Sequence, residues 1–150
     1  MAVVTVADVL RQAERFEQML RDYYAKLSER TTREGVRLLA DYMSRHRVRI
    51  ARILDRLSGA QVRRICVAPL RYQPQDADGR RLEGMELPQQ ATAAEVLDAA
   101  IAFDECLIRL YRHVVRQPVD QEVRELFESL IRSEERDEIE LKKIKAMDYF

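Results

Sequence analysis

A chain of 150 residues is enough for one domain that buries about two thirds of the surface its unfolded form exposes. Its 47% apolar and 35% charged residues, with four glycines and four prolines, exclude a disordered, collagen-like or β-rich polypeptide. The formal net charge of zero leaves no overall field to draw in nucleic acid or a membrane surface, and two cysteines without CxxC or Cys/His spacing exclude a zinc or iron–sulfur module.

Apolar residues recur at three-and-four spacing through Val6, Val9, Leu10, Ala13, Phe16, Leu20, Tyr24 and Leu27, which predicts a first helix from Thr5 to about Glu29. Thr5 with Asp8 has the pattern of a capping box at its start, and Thr31 with Glu34 offers another before the second helix. That helix carries Val36, Leu39, Met43, Ile50, Ile53, Leu54 and Leu57 and is predicted to stop at Ser58-Gly59. Residues 60–90 hold Pro69, Pro74, Pro88, Gly79 and Gly84 without a sustained period and read as a long connection, whose apolar VAPLRY stretch is expected to pack along the other helices. Thr92 with Glu95 opens a third helix striped with Val96, Leu97, Ala100, Phe103, Leu107, Tyr111 and Val114. Pro118 interrupts the pattern, and a fourth helix follows with Val123, Leu126, Phe127, Leu130, Leu141 and Ile144. The final MDYF is a frayed end or a docking tail. No stretch of about 18 apolar residues and no leader-like start is present, so a soluble, cytoplasmic protein is expected.

Sliding the chain along itself by 87 residues superposes the two halves without a gap. Thr5 falls on Thr92, Phe16 on Phe103, Leu20 on Leu107, Tyr24 on Tyr111, Arg45 on Arg132 and Arg49 on Arg136, among 14 identities over residues 5–58. The pattern predicts two duplicated helical hairpins joined by a long crossover. Such a short–long–short loop order suits an all-α four-helix bundle with one lengthwise crossover. The expected boundaries within one domain, 1–150, are hairpin 1 at about 5–58, crossover at about 59–91 and hairpin 2 at about 92–147. Residues 33–64 carry nine arginines against Glu34, Asp41 and Asp55, whereas residues 121–141 carry eight acids against Arg124, Arg132 and Arg136. The two stretches suit intramolecular or subunit-to-subunit pairing, and a homodimer is expected, with no nucleic acid or membrane partner.

The segments FEQMLRDYYAKL, AFDECLIRLY and EVRELFESLIRSEERDEIELKKI resemble the rubrerythrin branch of the ferritin-like superfamily. That resemblance implies a ferritin-like bundle whose hairpins each supply a Glu seven residues before a Tyr, and a Glu-x-x-His, to a di-iron centre. Carried onto this chain, the single carboxylates become Glu17 and Asp104, seven residues before Tyr24 and Tyr111. The Glu-x-x-His of the fourth helix becomes Glu134-x-x-Asp137, without the imidazole, and that of the second becomes Arg47-x-x-Ile50, without either ligand. A guanidinium at Arg47 is expected to pair with Glu17 or Glu134 in the cation's place.

The resulting expectation is a non-catalytic rubrerythrin-like protein with a degenerate di-iron site, a salt-bridged core in its place, no catalytic residues, no cofactor and a binding or structural role, with an unidentified protein partner. The competing reading is a metal-binding oxidoreductase or storage relative that holds iron or manganese through Glu17, Asp104, Glu134 and Asp137, with His46 as a displaced ligand. A third is a small-molecule binder that uses space between the helices. His113, Cys66 and the two tyrosines read as structural or spectator groups.

Overall fold

The computed structural model describes residues 4–46, 49–72 and 91–147. They form six helices: α1 Val6–Arg30, α2 Glu34–His46, α3 Arg49–Leu54, α4 Gly59–Cys66, α5 Ala93–Val115 and α6 Gln121–Met147. Among the described residues the extended structure is an isolated antiparallel bridge between Thr5 and Pro69. At 25 residues α1 is about 38 Å long, enough to run the length of a small bundle.

The caps account for where the helices begin. The Asp8 carboxylate accepts the Thr5 backbone N–H at 2.8 Å, and this bond holds its carboxyl below the ordinary value of 3.8. At α5 the box is reciprocal, with Thr92 Oγ1 accepting from Glu95 N and Glu95 Oε1 accepting from Thr92 N, both at 3.2 Å. The box expected at Thr31 and Glu34 does not form in that register. Because α2 starts at Glu34, Thr31 Oγ1 accepts from Arg33 N at 3.2 Å instead, and the Glu34 carboxylate pairs with Arg37 at 3.2 Å.

The last turn of α3 tightens through Leu57 N donating to Leu54 O, and Ser58 then starts a helix rather than ending one. Its Oγ accepts from Gln61 N at 3.1 Å while Gln61 Oε1 accepts from Ser58 N at 2.9 Å. The connection therefore opens with α4, which is tied to α6 by a two-bond pair from Arg64 to Glu122 at 3.1 and 2.8 Å.

Helix α1 packs on α2 and α5 on α6 as two antiparallel hairpins; α2 also meets α5, while α3 and α4 each meet α1 and α6. The stripes face one core in which Leu20, Tyr24, Leu110, Tyr111 and Phe127 are fully buried. Phe16 and Phe103 meet edge to face across the hairpins at 6.1 Å, and burying each such side chain contributes roughly 1.5–3 kcal/mol. The VAPLRY stretch crosses the bundle end instead of running along it. Val6 N donates to Ala68 O at 2.9 Å and Leu70 N to Val4 O at 2.8 Å, which seats Leu70 in the core. Buried Gln117, in the α5–α6 turn, secures the same segment by accepting from Arg71 N and Tyr72 N and donating to Tyr72 O. No helix among the described residues is long and apolar enough to cross a membrane.

Candidate functional site

Amphipathic helices place apolar residues inward, so a carboxylate at an inward position must find a partner or lose its charge. Here two helices bring such groups together. Asp104 sits in the α5 stripe between Phe103 and Leu107 and is fully buried. On α6, Glu134 and Asp137 are three apart and share a face, Glu134 fully buried and Asp137 partly exposed.

Arg49, the first residue of α3, reaches into this group. Its Nη1 lies 3.1 Å from Glu134 Oε2 and 4.0 Å from Asp104 Oδ1, and its Nη2 lies 2.6 Å from Asp137 Oδ1. Its side chain is only 14% exposed. The planar guanidinium fork suits this geometry, because its two nitrogens engage carboxylates from adjacent turns of α6 while one edge faces α5.

Glu17 is buried on α1, and Tyr24 and Tyr111, each seven residues beyond its carboxylate, have fully buried rings. Ile50 is fully buried, so a hydrocarbon side chain rather than a metal-binding imidazole occupies that register of the second helix. Arg47 and the His46 side chain lie outside the described residues. His113 is exposed, Cys106 is buried and Cys66 is half-buried, and neither cysteine is in a disulfide.

Arg49 is the site residue that reading by family register missed, because the register pointed to positions 47 and 50. A signal was present: Arg49 and Arg136 are an identity in the 87-residue superposition, and Arg49 immediately precedes the core position Ile50.

No family model and no curated relative matches the chain. Among solved structures, it is similar to a candidate ferritin-like diiron-carboxylate protein from Thermotoga maritima, with 23% identity, 97% of each chain covered and a TM-score of 0.53. The fold is ferritin-like. At that identity the likeness carries the bundle and none of the neighbour's chemistry.

Whether the residues of this ferritin-like chain suit a di-metal group can be judged on the donor set. Such a group needs carboxylate and imidazole donors converging at about 2.0–2.6 Å on space left for the cations. The Arg49 guanidinium instead stands between Asp104, Glu134 and Asp137 at 2.6 to 4.0 Å, and Ile50 offers no donor. Among the described residues, no three His, Cys, Asp or Glu side chains are grouped to hold a metal ion. The described residues do not fit a di-metal centre.

Proposed function

We propose that this chain is a non-catalytic, rubrerythrin-like relative in which a guanidinium–carboxylate core takes the place of di-iron chemistry, leaving the bundle a binding or structural role. The observation that carries the reading is Arg49, whose guanidinium sits within 2.6 to 4.0 Å of three carboxylates from α5 and α6. A fixed positive charge there supplies the electrostatic complement that a cation gives to clustered carboxylates, and it adds no redox couple or open coordination position. Descent by duplication of one hairpin agrees with the burial of Glu17 and Asp104, 87 residues apart, and of Tyr24 and Tyr111 at the same offset.

The competing reading, a residual iron or manganese site on Glu17, Asp104, Glu134 and Asp137, is favoured by the near-complete burial of Glu17, Asp104 and Glu134 in one bundle. Anaerobic loading of protein purified without chelator separates the two. The proposal expects metal content near zero after exposure to ferrous iron or manganese. Retention of about two metals per chain, lost in Glu134→Ala, would establish the competing reading.

A further inference from the structure

Between α3, α4 and α6 lies a cleft of about 490 Å³, within the size range of small-molecule sites. Its walls are set by helical spacing. From one side come Arg52 and Arg56, four residues apart, and from α6 come Ser129, Arg132, Ser133 and Arg136, which share one face at i, i+3, i+4 and i+7. The floor is apolar, formed in part by Ile53 and Leu126.

The charge on this cleft is only partly compensated among the described residues. Among the described residues, the side chains of Arg52, Arg56 and Arg136 make no ion pair, and Arg132 bonds only the Ser129 hydroxyl, at 3.1 Å. Two carboxylates also line the space: Glu122 is neutralised by two bonds from Arg64, while Glu125, which accepts only from the neutral Gln121 amide at 3.1 Å, offsets one of the arginines and leaves the lining net positive. Four guanidiniums facing one concavity repel one another, and an anion with several charged oxygens relieves that repulsion while accepting their forked N–H groups. The chain as a whole is neutral, so the excess is local to this cleft.

We propose that the cleft binds a small molecule carrying two or more linked phosphate groups, with Arg52, Arg56, Arg132 and Arg136 on the phosphates and Ser129 and Ser133 donating hydroxyl bonds. Linked phosphates match the arrangement better than one phosphate, since the guanidiniums come from two walls of the cleft and linked phosphates can reach both at once. The apolar floor accommodates a less polar part of the ligand. This inference rests on the binding role proposed above and gives it a ligand class. Arg49 also lines the cleft, but its guanidinium is held by Glu134 and Asp137, so iron loading tests the core, and anion binding with Arg52 and Arg136 varied tests the cleft.

The test is calorimetric titration of the full chain with inorganic pyrophosphate, orthophosphate and ATP at near-physiological salt. One site per chain is expected, with pyrophosphate and ATP binding about tenfold or more tighter than orthophosphate. Arg52→Gln/Arg136→Gln removes two exposed side chains and should weaken pyrophosphate binding by about tenfold or more with an unchanged helical circular dichroism signal. Arg45→Gln, on the exposed side of α2 outside the cleft, should bind as the wild type does. Three results would overturn the proposal: no binding heat at millimolar pyrophosphate, undiminished binding in the double variant, or displacement of pyrophosphate by single-stranded RNA with an affinity that grows with strand length.

Discussion

Replacing Arg49 by Met keeps much of the side-chain volume and removes the charge. Glu134 and Asp104 have almost no exposure to water, whereas Asp137 is 23% exposed and can be rehydrated. Removing one partner from a buried ion pair costs about 3–5 kcal/mol, because the remaining charge keeps its desolvation penalty. Arg49 is itself 14% exposed, which places the expected loss near the lower end, about 3 kcal/mol. For a domain of this size that corresponds to a fall in Tm of about 6–12 °C. Urea unfolding followed by circular dichroism gives the free energy, and Arg45→Met is the control. Arg45 pairs with Asp41 at 2.6 Å on an exposed helix face, where such pairs contribute about 0.3–0.5 kcal/mol. Adding Glu134→Gln to Arg49→Met should recover part of the loss, since a neutral amide needs no counter-charge. A loss for Arg49→Met no larger than that of Arg45→Met would refute the view that the guanidinium balances buried carboxylates.

Other perturbations test the supporting parts of the structure. Ile50→Ala empties a fully buried position and should cost about 2–5 kcal/mol by urea unfolding. Thr92→Ala removes the cap of α5 and should cost about 1 kcal/mol, with Thr92→Ser close to wild type. Gln117→Leu withdraws three bonds from Arg71 and Tyr72, and limited proteolysis should then cut near residue 72 faster than in the wild type. The hydrogen bond from Arg64 holds the Glu122 carboxyl below its ordinary value of 4.5, against the opposing effect of desolvation. A folded-state value below the unfolded one means stabilisation that is complete above the unfolded value and lost as pH falls through the folded one. The stability difference between wild type and Glu122→Gln should therefore be constant near neutrality and shrink below pH 4.5.

Helical periodicity made the hairpins legible because each stripe is a strong, repeated signal, and the caps at Thr5 and Thr92 added local chemistry that agrees with it. Boundaries were harder to read. Ser58-Gly59-Ala60-Gln61 contains its own capping pattern, yet a Ser-Gly pair after a helical stripe also resembles a stop, and the reciprocal bonds between Ser58 and Gln61 separate the two. Family spacing singled out Glu17, Asp104, Glu134 and Asp137, and the last three stand around Arg49. Arg49 was not singled out, since that spacing specifies where ligands stand and says nothing of which neighbouring cation turns inward. The cleft escaped notice for a related reason: Arg52 and Arg136 are distant in sequence, and an excess of arginines in one stretch beside acids in another suggests pairing until their partners are known individually.

The role proposed for Arg49 is to take the place of metal among the bundle carboxylates. Crystals grown anaerobically with excess ferrous iron, with anomalous diffraction collected above the iron edge, test it most directly. No anomalous peak is expected among Asp104, Glu134 and Asp137, with Arg49 directed at all three. An anomalous peak bridged by Glu134 and Asp104, with Arg49 swung away, would contradict it.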